Sequence, residues 1–386
     1  MKKMGQKRVF AAFSITCVVF WYTSDDKILS FSGRKGCGII RNRINAVQKE
    51  GRAMQSPIAG PLLKWYDRHG RTLPFRGTRD PYRIWVSEIM LQQTRTETAG
   101  GYFLRFMERF PDVFSLAEAD EDEVLKYWQG LGYYSRARNL HAAAHNMAEA
   151  GGFPDTYEGV LALKGVGGYT AAAICSFAYG MPYAVVDGNV YRVLSRWLGI
   201  DLPIDSTSGK KAFAEAADAL LDKSRPALYN QAVMEFGALQ CTPQSPDCQA
   251  CPLASGCAAL QQGRVHELPV KAHKTKVTHR YFNYIYVRAG AYTFIRKRTG
   301  NDIWKNLYEP VLIETESDLT ENAEAFVEKL HGVLKKHADI FLKPVKLGVK
   351  HVLSHRVIHA NFYELVLPED FGALEGYQKV PIEELH

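Results

Sequence analysis

The chain has 386 residues, 46% of them hydrophobic and 23% charged, with a formal net charge of +7. That length holds two or three domains, and the composition excludes a low-complexity or repeat-built chain. The charge alone argues for no partner: residues 1–53 carry 11 Lys/Arg against 3 Asp/Glu, leaving the remainder at about −1, so any basic binding face must come from local clustering.

In chain order, Lys2, Lys3, Lys7 and Arg8 precede an apolar run from Val9 to Tyr22, the pattern of a signal peptide or short anchor. The run is short for a membrane span and no small-x-small cleavage site follows it. Met54 offers a second start, so residues 1–53 read as an upstream misassigned start or a disordered extension, with an export signal as the alternative. Residues 54–263 are patterned as helices: one carries Leu62, Leu63, Trp65 and Tyr66, others run from Pro81 to Thr94, Tyr102 to Phe110 and Glu121 to Leu131, and Gly or Pro lies in the connections. Residues 264–279 form a basic stretch without amphipathic period, expected to be a linker. Residues 280–386 change character. YFNYIYVRAG and AYTFIRKR alternate about a turn as a hairpin, a helix is expected from Asn322 to His337, and strands over Val345–His351 and Val357–Leu367. The closing PIEELH looks like the first turn of a helix, which suggests a truncated domain.

Four patterns carry chemistry. Cys241, Cys248, Cys251 and Cys257 are spaced C-x6-C-x2-C-x5-C, and four thiolates from one loop can hold a zinc ion or a [4Fe–4S] cluster. Zinc ribbons place their two pairs further apart, and disulfides are the plainer alternative. In LKGVGGYTAAAI, Gly165, Gly167 and Gly168 allow a tight turn into a helix starting near Tyr169; its bare amides could cradle a phosphate, or the turn could be ordinary packing. Asp187, in VVDGNV, lies among valines, as either a turn residue or a carboxylate aimed into a cleft. Glu88 falls between Ile84 and Trp85 on a helix apolar nearly all round, where burial would raise its pKa and suit it to general-acid work.

These motifs, in this order, resemble the endonuclease III superfamily of DNA glycosylases, and RTLPFRGTRDPYRIWVSEIMLQQT resembles the adenine pocket of its MutY-type branch; the similarity covers roughly residues 57–380. The resemblance implies an all-α helix-hairpin-helix glycosylase core with an iron–sulfur cluster loop, plus an α+β Nudix-like C-terminal domain. It implies one [4Fe–4S] cluster on the four cysteines and backbone grip by Gly165, Gly167 and Gly168. Glu88 matches the family's acid, and Asp187, with Tyr169 and Asn189, the residues that stabilise the cationic sugar. Tyr169 stands where strand-cutting relatives carry a lysine nucleophile, so a monofunctional enzyme is implied. Arg71, Leu73, Arg76 and Gln231 match pocket residues, with Phe75 replacing a tryptophan. Gln93, Thr94, Leu131 and Tyr133 match residues that wedge beside 8-oxoguanine, Tyr133 being flanked by Arg136 and Arg138 as candidate phosphate-binding cations. Leu353, Ser354 and His355 stand in place of the family's Phe-Ser-His lesion-sensing loop. The 322–337 helix lacks the glutamate pair of a working Nudix hydrolase.

The expectation is therefore a monomeric, cytoplasmic base-excision enzyme, nucleoid-associated if bacterial, that releases adenine mispaired with 8-oxoguanine or guanine in double-stranded DNA and has no membrane partner. A pyrimidine- or mismatch-directed relative, and a non-catalytic cluster-bearing DNA-binding module, are the alternatives.

Overall fold

Two bodies follow one another along the chain. The computed structural model describes residues 56–272, 277–334, 341–353 and 355–385, so the expectations for residues 1–53 and for Ser354 lie outside the described residues. The first body contains helices α1 (Ala59–His69), α2 (Pro81–Leu91), α3 (Thr96–Arg109), α4 (Val113–Glu118), α5 (Glu121–Tyr127), α6 (Ser135–Glu149), α7 (Tyr157–Leu161), α8 (Gly168–Tyr179), α9 (Gly188–Leu198), α10 (Thr207–Leu220), α11 (Pro226–Leu239) and α12 (Ala258–Gln261). Among the described residues no helix is long and apolar enough to cross a membrane.

Local chemistry sets these boundaries. Asp80 caps α2 by accepting from the amides of Tyr82 and Arg83, with Pro81 pre-set at the first helical position; such a cap is worth about 1 kcal/mol. α2 is buried almost all round because it runs through the middle of the body, where Trp85, Phe103 and Phe106 are fully enclosed. Burying each of these large side chains contributes roughly 1.5–3 kcal/mol. α2 ends at Leu91, earlier than the apolar pattern suggests: Gln92 turns extended and Gln93 adopts φ +58°. Likewise the helix expected over 121–131 closes at Tyr127, and Gly132 and Tyr133 turn the chain with positive φ. In α11, Phe236 meets Trp65 of α1 edge to face at 5.0 Å.

The basic segment is less free than its composition suggests. Val265 and Leu268 are buried against Cys248 and Cys257, with Val270 half-buried beside them, and the Val270 carbonyl accepts from the Ile204 amide at 3.0 Å. Its apolar residues are too irregularly spaced to show as a period, so their docking could not be seen in the pattern. The second body is a mixed sheet of β1 (Thr278–Ala289), β2 (Tyr292–Lys297), β3 (Tyr308–Glu309), β4 (Val311–Thr315), β5 (Lys343–Val352), β6 (Arg356–Leu367) and β7 (Gln378–Pro381), with α13 (Leu319–Val333) on one face. β1 pairs in parallel with β6 and antiparallel with β2 and β4; β5 extends the sheet beyond β6, and β3 and β7 pair with β2. The expected hairpin and both late strands are present, and the chain closes in a short 3₁₀ turn, Ile382–Glu384.

The bodies touch at α5 and α6. Asp122 accepts from the Lys297 ammonium at 2.6 Å and the Tyr308 hydroxyl at 3.4 Å, Glu121 accepts from the Asn306 amide, and Arg138 donates to the Lys305 carbonyl at 2.8 Å. One nitrogen of Arg138 is thus engaged with the second body.

Candidate active site

A cavity of about 220 Å³ opens between α2, α8, α9 and α11. Glu88 projects into it from α2 and Tyr169 from the first turn of α8; the phenol donates to Glu88 Oε2 at 3.0 Å. Only 7% of Glu88 is exposed. Burial pushes its carboxyl up to about 7, with Asp187 adding to the rise and the Tyr169 and Arg76 contacts opposing it. Burial, then the neighbouring Glu88, hold the Tyr169 phenol well above its ordinary value, so it is a neutral donor.

Asp187 does two things. It caps α9, accepting from the Val190 amide at 2.8 Å and the Asn189 side chain at 2.9 Å, and it still lines the cavity with Asn189. Burial raises its pKa, while those two hydrogen bonds favour the anion. Gly237 lets α11 approach this point: a Cβ there would lie 2.7 Å from the Asn189 Cβ and 2.8 Å from its carbonyl oxygen. Arg192 then fixes the amide, donating to Asn189 Oδ1 at 2.8 Å and to the Cys241 carbonyl at 2.7 Å.

The opposite wall holds Arg71, Phe75, Arg76 and Gln231, as the sequence suggests, and Thr94 joins them. Phe75 packs edge to face on Phe103 at 5.8 Å, and Gln231 accepts from the Tyr66 hydroxyl at 3.3 Å. Leu73 does not line this cavity. Its carbonyl accepts from the Arg76 amide at 3.0 Å, so it opens the turn that presents Phe75 and Arg76, while its side chain packs on the helical core. The sequence reading missed Glu235. It is 1% exposed and takes Arg71 Nε at 2.7 Å and Arg76 Nη2 at 2.7 Å. Burial would raise its pKa, but the hydrogen bonds from Arg71 and Arg76 outweigh it and hold the carboxyl at about 2. A charged residue inside the apolar run AVMEFGAL was the available signal.

Gln93, Leu131 and Tyr133 lie outside the cavity lining, on the two turns after α2 and before α6; Gln93 and Tyr133 are exposed and Leu131 is buried. Arg136 is not a surface cation: it is buried, and its guanidinium is committed to backbone carbonyls of both turns. At the hairpin, Gly165 has φ +83°, where a Cβ would strike Asn139 at 2.9 Å, and no side chain caps the α8 start at Gly167 and Gly168. His355 is exposed, its carbonyl accepting from the Thr278 amide at 3.1 Å, and does not reach the cavity.

All four loop cysteines line one small cavity with Arg196, which donates to Cys241 Sγ at 3.4 Å and to the Thr242 and Pro243 carbonyls. Among the described residues no three His, Cys, Asp or Glu are drawn together around a single ion. Four thiols arranged about a shared space, with a guanidinium against one sulfur, fit a larger anionic cluster.

Two segments of the chain match known families. Residues 86–217 match the HhH-GPD superfamily of base excision DNA repair proteins, and residues 241–257 match the iron–sulfur binding domain of endonuclease III. An adenine DNA glycosylase of Buchnera aphidicola subsp. Baizongia pistaciae is 32% identical over 304 residues, covering 78% of this chain and 83% of that protein. The chain belongs to the adenine DNA glycosylase family. The match over residues 241–257 fits one [4Fe–4S] cluster in this loop, which Cys241, Cys248, Cys251 and Cys257 would hold. Another member of the family, the adenine DNA glycosylase of Homo sapiens, is 44% identical over 220 residues, covering 54% of this chain but only 40% of the human protein. A solved thermostable thymine-DNA glycosylase superposes on 57% of the present chain and 99% of its own, with TM-score 0.51 and 26% identity.

Proposed function

We propose that this protein is a monofunctional glycosylase that hydrolyses the bond between adenine and deoxyribose when adenine is mispaired with 8-oxoguanine or guanine in duplex DNA. The observation that carries this reading is the pairing of Glu88, poised near neutrality, with Asp187 on the wall of one cavity. An adenine leaves readily only when a ring nitrogen is protonated. Glu88 gives that proton, the C1′–N bond breaks with its electrons on the base, and positive charge develops on the sugar. Asp187, its carboxylate aimed by Asn189 and Val190, stabilises that charge electrostatically. Water then adds at C1′, returning a proton to the Glu88 carboxylate.

Several observations support the finer points. Tyr169 offers no amine for a Schiff base, and its hydroxyl is engaged with Glu88. The uncapped α8 start supplies bare amides for a backbone phosphate. The fixed Glu235 anion with Arg71 and Arg76 supplies donors and acceptors for a purine edge. Gln93 and Tyr133, exposed on their turns, fill the stack that the extruded base vacates. The second body, with its mixed sheet and one flanking helix, is read as a Nudix-like lesion-sensing domain, in which Leu353 and His355 flank Ser354.

The decisive experiment is single-turnover adenine release from duplexes that differ only in the opposite base, with strand nicking scored without added alkali. Fast release opposite 8-oxoguanine with no nick is the expected result. Equal rates opposite every base, or an alkali-independent nick, would overturn the proposal.

A further inference from the structure

Two turns beside the cavity hold side-chain-bearing residues where the backbone resists them. Gln93 sits at φ +58° just after α2 and Tyr133 at φ +48° just before α6, a left-handed region that residues other than glycine occupy only when their surroundings impose it. Between the turns lies Arg136, only 8% exposed. Its Nη1 donates to the carbonyls of Ile89 at 3.0 Å, Met90 at 2.9 Å and Gln92. Its Nη2 donates to the carbonyls of Leu131 at 3.1 Å and Gly132 at 3.0 Å, and to Thr94 Oγ1 at 3.2 Å. The carbonyl immediately preceding each strained residue, Gln92 on one turn and Gly132 on the other, therefore hangs on the same guanidinium. The Trp128 ring lies 5.3 Å from that group, and its indole N–H donates to the Gly132 carbonyl at 3.1 Å. Burial brings Arg136 down to about 10, which leaves it a cation at neutral pH.

We infer that Arg136 is a positioning residue for the wedge: one planar fork holds Gln93 and Tyr133 in the strained backbone from which they enter the base stack. The inference rests on the proposal above that these two residues fill the vacated stack. A lysine could satisfy the charge but not carbonyls on two turns at once, because the bidentate geometry belongs to guanidinium.

The test uses the cluster-loaded full chain and two substrates: adenine opposite 8-oxoguanine in a paired duplex, and adenine opposite an abasic site, where less unstacking is needed. Arg136→Lys is expected to lose about tenfold in single-turnover release from the paired duplex, the order of one charged hydrogen bond, and to keep its rate on the abasic partner. Trp128→Phe, which deletes one donor to Gly132, is expected to shift the same ratio less, and decides the matter if Arg136→Lys does not fold. Equal loss on both substrates, or no loss on either, overturns the inference. Gln93→Ala and Tyr133→Ala separate the two layers. If neither discriminates the substrates, the wedge reading fails; if both do while Arg136→Lys and Trp128→Phe do not, only the role of Arg136 fails.

Discussion

Glu88 and Glu235 are both almost completely buried on the walls of one cavity, yet they sit at opposite ends of the carboxylate range. Around Glu88 on α2 stand apolar packing and the neutral phenol of Tyr169 from α8, and the group rises to about 7. Around Glu235 the α11 wall meets Arg71 and Arg76, and the group falls to about 2. Burial is the largest influence on each and pushes both upward; the neighbours decide whether that push succeeds. One wall is thus equipped to give a proton and the other to remain a fixed anion.

The sharpest way to break this contrast is Glu88→Gln. Adenine release should fall on the order of 10²–10⁴-fold, the worth of a general acid, as read by single-turnover quench. Stability should move the other way. The folded protein binds this proton more tightly than the unfolded chain, so its contribution is full below the ordinary value and erodes as pH rises through about 7. Above that, ionised Glu88 costs on the order of 3 kcal/mol, and Glu88→Gln should resist denaturant better than wild type at pH 9 but not at pH 4.

Glu235→Gln should have the opposite sign. Its depressed pKa contributes stability that is present above the ordinary carboxylate value and lost as pH falls toward about 2. Removing the charge leaves two arginines facing each other, at a cost of about 3–5 kcal/mol in urea unfolding at pH 7. A variant as stable as wild type would show that the arginine wall does not depend on this anion. Asp187→Asn retains the helix cap but not the charge, and should lower release about 10²–10³-fold while the melting temperature changes little. The smallest effect belongs to the contact between the bodies: Asp122→Ala should cost no more than about 1 kcal/mol, seen as faster proteolysis between residues 264 and 280 and weakening with added salt.

The glutamates also show how far residues alone can be read. Glu88 was legible because a lone carboxylate on a helix apolar all round contradicts its setting. Glu235 breaks the same rule in its own helix, but its meaning lies in Arg71 and Arg76, which sequence separates from it and folding brings within 2.7 Å. Arg136 misled for a similar reason: beside two tyrosines it reads as a phosphate contact, whereas the turn into α6 rotates it inward. Helix existence followed from apolar spacing. Helix ends at Leu91 and Tyr127 did not, because the positive-φ turns that follow them, at Gln93 and at Gly130, Gly132 and Tyr133, leave no mark in apolar spacing.

Arg192 joins places that are otherwise unrelated: the carbonyl of Cys241 at the mouth of the thiol loop, and the amide that orients Asp187. A copy whose loop has not closed loses one anchor of Arg192 and keeps those on Asn189 and Gly237, so the order of the thiol loop reaches the surroundings of Asp187 through a single guanidinium.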